Sequence, residues 1–150
     1  MKKALLLVAA LAVGALAFAA SGEAVYQKAC SSCHQANGQG IPGVFPPLVK
    51  VVPEVLAKGP EGRKVLIHVV LFGMQGELKI GDKTYNSMMP PQRLSEEEIA
   101  AVLDYIAKAW DNEKLLPKDY KPFTPDEVKA EKAKSLTPQQ VYQEWLELFK

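Results

Sequence analysis

The sequence predicts an all-α fold, with helices around one core, a single small β-hairpin and a helical C-terminal extension. Three observations carry this. A Ser or Thr followed three residues later by Glu or Gln, the mark of a capped helix start, occurs at Ser95, Thr124 and Thr137. The last of these opens a run that places Val141, Tyr142, Trp145, Leu148 and Phe149 at three- and four-residue spacings. Strand-like alternation is confined to a short stretch around Leu78 and Ile80.

The elements follow in order. Met1, Lys2 and Lys3 precede an apolar stretch from Ala4 to Ala20 that ends in small residues, Ala17-Phe18-Ala19. This is the pattern of a secretory leader over residues 1–19, whose removal leaves roughly 130 residues, enough for one domain and its extension. Gly22 to about Cys33 reads as the first helix. Gln35 to Lys50, rich in Gly and Pro, is an irregular loop. Pro53 opens a short helix through Ala57, and Gly62 to Phe72 forms an apolar helix. Leu78 and Ile80 around Gly81-Asp82 form a hairpin leading to Tyr85. Ser95-Glu96-Glu97-Glu98 caps the next helix. A charged, proline-containing linker runs from Trp110 to Pro122. Thr124-Pro125-Asp126-Glu127 and Thr137-Pro138-Gln139-Gln140 start two more helices, each with Pro at the first helical position. The stripe on the last needs a surface to cover, and the expected surface is the protein's own domain.

Removing Lys2 and Lys3 from the 18 basic residues leaves 16 against 17 acidic ones. Such a chain is not a nucleic-acid binder by charge. Its two cysteines, Cys30 and Cys33, are too few and too close for a disulfide scaffold. They sit in Cys30-Ser31-Ser32-Cys33-His34, the attachment signature of a c-type haem. On one helical turn two thiols three apart reach the two porphyrin vinyl groups, and the next residue places an imidazole beneath the iron. A thiol–disulfide pair would follow a buried strand in a βαβ unit, whereas Glu23 to Ala29, just before the motif, is polar and helical in pattern and no parallel-sheet alternation appears downstream. A zinc site fails because His68 is the only other histidine and there is no second cysteine pair. One haem c is therefore the expected cofactor, with His34 as proximal ligand.

Met74, Met88, Met89 and His68 are the candidates for the second axial position. His68 lies within a helical apolar run, and Met74 follows that run beside Gly73. Met88-Met89-Pro90-Pro91 is extended, proline-stiffened backbone, and Met89 directly precedes Pro90, whose ring restricts it to extended conformations. Met89 is the preferred ligand.

These residues resemble a bacterial class I cytochrome c over nearly the whole chain after the leader. Gly22 and Tyr26, eight and four positions before Cys30, match the family's N-terminal helix, and Val102 with Tyr105 match the C-terminal core helix that crosses it. Pro46 and Leu48 match a proline twelve residues after the haem histidine and a haem-pocket leucine two further on. The resemblance implies that the Pro46 carbonyl accepts the Nδ1 hydrogen of His34, and Met89-Pro90 matches the methionine ligand loop. Asn37-Gly38-Gln39-Gly40-Ile41-Pro42-Gly43, Phe45-Pro46-Pro47-Leu48, Tyr85-Asn86, Glu98-Ile99-Ala100-Ala101-Val102-Leu103 and Ala109-Trp110 are similar to the soluble respiratory cytochromes c of thermophilic aerobic bacteria. Those add an extension that wraps the haem domain. Here Ser87 stands where that group has glycine. The implied division is a haem domain over 20–110 and an extension over 111–150.

From Ala29 to Val49 no residue carries charge. This segment should surround the haem edge and offer Ile41, Val44 and Phe45 as an apolar docking face. The resemblance implies a soluble, monomeric, periplasmic electron carrier rather than an enzyme. It would take electrons from a quinol-oxidising complex and give them to a terminal cytochrome c oxidase. A cytochrome subunit of a periplasmic dehydrogenase and an open-site haem protein remain alternatives.

Overall fold

A computed structural model describes residues 21–150; the expected leader lies outside the described residues. Seven α-helices and one two-stranded hairpin make up the regular structure among them. Helix α1 (Gly22–Ala29) starts at Ser21, whose side chain accepts from the Ala24 amide. It crosses α5 (Glu96–Lys108), and the crossing is set by absence of side chain. A Cβ on Gly22 would lie 2.2 Å from the Ala101 carbonyl oxygen, so only glycine lets the two backbones meet. Tyr26, Tyr105 and Trp110 close the crossing with ring centroids 5.0 to 5.8 Å apart.

The first helix does not run unbroken to Cys33. It bends at Cys30 (φ −120°, ψ −35°) and resumes as α2 (Ser31–His34). The Tyr26 hydroxyl donates to the Gln35 carbonyl at 2.6 Å, which holds the end of α2 back against α1. Helix α3 (Val51–Leu56) begins two residues before the expected Pro53, because a proline in the first turn removes only an amide that has no helical partner. Helix α4 (Pro60–Phe72) likewise begins at Pro60 rather than Gly62. Strands β1 (Leu78–Ile80) and β2 (Lys83–Tyr85) pair antiparallel, Leu78 opposite Tyr85.

Helices α6 (Pro125–Lys132) and α7 (Pro138–Leu148) form the extension. The boxes at Ser95 and Thr137 are reciprocal, as the sequence implied. At Thr124 only half of the box forms. The threonine accepts from the Glu127 amide, but the Glu127 carboxylate is taken by Arg63 on α4, at 2.5 and 2.9 Å. The stronger charge-assisted pair wins over a local backbone contact. The linker also contains a 3₁₀ turn, Asn112–Leu115, entered through positive φ at Trp110 and Asp111.

Helices α6 and α7 pack on the rest of the chain, with Val128 and Val141 wholly inside the common core. Polar contacts set its register. The Arg63 guanidinium lies 3.8 Å over the Phe123 ring and donates to the Lys121 and Pro122 carbonyls. Asp104 of α5 accepts from the Tyr120 hydroxyl and the Phe123 amide. Buried His68 of α4 meets Glu131 of α6 through Nε2 and Glu144 of α7 through Nδ1, both at 2.6 Å. Both bonds form together only when each ring nitrogen, or one carboxyl, carries the hydrogen between them.

Burial disfavours the charge on Glu131, but hydrogen bonds from Lys134 and His68 outweigh it and hold its pKa below the ordinary 4.5. A depressed carboxylate contributes stability that is present above its unfolded value and lost as pH falls through the folded one. The melting temperature should therefore drop on acidification below about pH 4.5. Glu131→Gln should lower it at neutral pH and flatten that acid limb in thermal denaturation followed by circular dichroism.

Candidate functional site

A cavity of about 290 Å³ lies between α2, the loop after it, α3, α4, the hairpin and α5, near the lower end of the range for small-molecule and cofactor sites, about 300–1,000 Å³. Its walls are mostly apolar, with Leu48, Val52, Leu66, Val70, Leu103 and Ile106 among them. Against that lining stand a few reactive groups: the thiols of Cys30 and Cys33, the imidazole of His34, and the thioethers of Met74, Met88 and Met89.

His34 is 8% exposed. Its Nδ1 lies 2.9 Å from the Pro46 carbonyl oxygen, which fixes the proton on Nδ1 and leaves Nε2 with a lone pair to donate. Burial lowers its pKa from 6.5, and the Pro46 bond opposes this only in part, so the ring is the neutral imidazole that a metal requires. The Pro46 segment has no regular structure and is fixed from outside. The Leu48 amide donates to the Gly38 carbonyl at 2.8 Å. Pro46 and Leu48 both line the cavity.

The methionine side is fixed by backbone. Met74 and Met89 exchange two hydrogen bonds, each amide to the other's carbonyl at 3.0 Å. Gly73, at φ 75°, turns the chain out of α4 just before this bridge. Gln92 extends the attachment by donating its amide to the Val70 carbonyl at 2.9 Å. Met89 is half-buried, Met74 is buried, and Met88 is 52% exposed. His68 does not line the cavity, and both its nitrogens are occupied on the far side of α4. Ser87 donates its hydroxyl to the Val44 carbonyl at 2.6 Å and ties the methionine loop to the uncharged loop.

Residues 19–110 match the family model of Cytochrome c. The chain belongs to the cytochrome c family. It is 51% identical over 140 residues to a cytochrome c-552 of Thermus thermophilus, covering 92% of this chain and 93% of that one. A second Thermus thermophilus cytochrome c-552 is 52% identical over 126 residues, 83% of this chain and 94% of the relative. The cytochrome c subunit of the quinone-dependent alcohol dehydrogenase of Gluconobacter oxydans is 33% identical over 95 residues, which cover 61% of this chain and 19% of that subunit.

As a cytochrome c it is an electron-transfer protein whose cofactor is covalently attached haem c. The residues fit that group. Two thiols lie one turn apart on the cavity wall beside a neutral, oriented imidazole. Burial and the neighbouring Cys33 push the Cys30 thiol up to about 11, the reverse of the depressed thiol a disulfide-exchange pair uses.

Two residues that build the site lie outside what its motifs indicate. Trp145 of α7 lines the cavity. Asn112, wholly buried, accepts from the Lys50 amide at 2.8 Å and donates to the Ile106 and Leu48 carbonyls at 2.8 and 3.3 Å. It caps the end of α5 and holds the loop that carries Pro46. Nothing local in the sequence marks Asn112, because its partners Lys50 and Leu48 lie 62 and 64 positions away. Asn112→Ala takes away the acceptor of the Lys50 amide and the donor to the Ile106 carbonyl, while the Leu48 carbonyl keeps the Val52 amide. It should cost about 2–4 kcal/mol, read as a lower midpoint in denaturant unfolding of the reduced protein.

Proposed function

We propose that this cytochrome is a periplasmic carrier that moves single electrons from a quinol-oxidising complex to a terminal cytochrome c oxidase. In this reading Cys30 and Cys33 carry the thioether bonds, and His34 and Met89 are the axial ligands. The chain divides into a leader over 1–19, a haem domain over 20–110 and an extension over 111–150. One observation carries the reading: two thiols, a neutral imidazole and a thioether on backbone-anchored walls converge on one apolar cavity. When bound, haem c supplies a one-electron iron couple whose potential methionine ligation raises.

The chain's own work is to hold. Pro46 orients His34, the Met74 bridge anchors Met89, and the apolar walls exclude water. A site held in the same geometry in both oxidation states needs little rearrangement on transfer, and the chain supplies no nucleophile, acid or base. Among the described residues no helix is long and apolar enough to cross a membrane.

Met89 is preferred to Met88 because it is the half-buried member of the pair and its backbone is pinned on both sides. Met89→Ala should abolish the weak long-wavelength ferric band that methionine ligation gives and let the reduced protein bind carbon monoxide. Met88→Ala should leave both unchanged in absorption spectra.

The docking face is the uncharged stretch. Ile41 and Val44 are 40% and 44% exposed, and the turn that presents them is closed by two 2.9 Å bonds between Ile41 and Phe45. The exposed Met88 joins them at the cavity mouth. Contacts of this kind are not screened by salt, whereas charged patches lose range beyond about 10 Å at 0.1 M. The second-order rate with an isolated oxidase should change little between low and physiological ionic strength in stopped-flow measurements. A steep fall would point to a charged patch elsewhere.

A second reading, a cytochrome subunit serving a periplasmic dehydrogenase, draws on the alcohol dehydrogenase relatives. The match there occupies 19% of each of those subunits, whereas the cytochrome c-552 relatives are covered almost end to end. Co-purification with a dehydrogenase under native conditions separates the two readings.

A further inference from the structure

We propose that helix α7 positions the distal ligand: Tyr142 braces residues 75–77, and through them the Met74–Met89 bridge that holds the Met89 thioether in place. The inference rests on reading Met89 as an axial ligand. It assigns to the extension a part in ligation distinct from covering the core.

The bridge is short. Two hydrogen bonds join Met74 to Met89, and two-bond contacts open readily unless the neighbouring chain is held. On the Met89 side the holds are Pro90 and the Gln92–Val70 bond. On the Met74 side the chain leaves α4 at Gly73 and does not enter β1 until Leu78. That interval, 74–77, has no regular structure, and α7 supplies its bonds. The Gln75 amide donates to the Pro138 carbonyl at 3.1 Å, and the Gln139 side chain donates to that of Gln75 at 2.8 Å. The Tyr142 hydroxyl donates to the Glu77 carbonyl at 2.8 Å.

The fit at Gly76 shows how close the brace lies. A Cβ there would stand 2.3 Å from the Tyr142 ring, so the ring rests directly on the backbone. Tyr142 thus holds 76 by contact and 77 by hydrogen bond, two and three residues from Met74. One turn further along, Trp145 reaches the cavity wall itself. Releasing Tyr142 frees the flank of the bridge that α7 holds, so the Met89 segment leaves its closed position more often.

The test uses the reduced holoprotein with two readouts: hydrogen exchange of the Met74 and Met89 amides, and the association rate of carbon monoxide. Tyr142→Ala should speed both by about tenfold, the population change that corresponds to about 1.4 kcal/mol. Tyr142→Phe, which keeps the ring and loses the bond to Glu77, should give a smaller change of the same sign. Gly76→Ala, which displaces the ring, should speed both and carries the test should Tyr142→Ala fail to fold. Val128→Ala empties a buried position on α6 that has no part in the brace, and it should lower the melting temperature while leaving both readouts at the parent values. Unchanged readouts in the Tyr142 and Gly76 variants, or equal changes in Val128→Ala, would overturn the proposal. Met89→Ala keeps the two failures apart. If it binds carbon monoxide no faster than the parent, the ligand assignment fails, and amide exchange in the Tyr142 variants still decides the brace.

Discussion

Irregular backbone around a cavity has to be held from outside, and the rest of this structure follows from that constraint. The wall that orients the imidazole and the wall that carries the thioethers are largely loops, and a loop satisfies few of its own amides and carbonyls. On the histidine side the outside bonds come from His34, Gly38 and buried Asn112. On the methionine side they come from Met74 and Val70 of the α4 segment, with Ser87 tying the two loops together. The helices are the rigid bodies from which these bonds are drawn, and this is why a glycine at the α1–α5 crossing matters to a site some distance away.

The molecule separates its two kinds of contact. Around the cavity mouth the chain is uncharged, and apolar side chains stand in solvent. On the other side of α4 the contacts are polar and charged: the Arg63 guanidinium pairs with Glu127, and the His68 ring is hydrogen-bonded to Glu131 and Glu144. Single exposed ion pairs add little to stability. Here the Arg63 fork is half-buried and the doubly bonded His68 ring is buried, and they specify the angle at which two short helices lie. The apolar residues Val128, Val141 and Trp145 then bury against the core in one arrangement. Charge sets the register of the extension and apolar burial supplies its affinity.

The candidate site was legible wherever its chemistry is local. Attachment through two thioethers and one imidazole requires a fixed spacing on one turn, so Cys30, Cys33 and His34 could be read from five adjacent residues. Met89 stood out because the proline after it restricts its own backbone. The helix starts at Ser95 and Thr137 were legible for the same reason, since a capping box is closed within four residues. Thr124 shows the limit, because its Glu127 found a better partner 64 positions away in Arg63.

By itself, then, the sequence determined the helical class, the haem attachment run, the uncharged stretch and the methionine pair, all features set within a few residues of each other. Only the tertiary structure decided that His68 serves the extension and faces away from the cavity, that Asn112 holds the Pro46 loop, and that Met74 pairs with Met89. It alone seated Tyr142 on Gly76. The reason is physical: a contact between residues 15 to 76 positions apart depends on where helices cross. That crossing is settled by the packing of the whole core and leaves no mark on the neighbours of either partner.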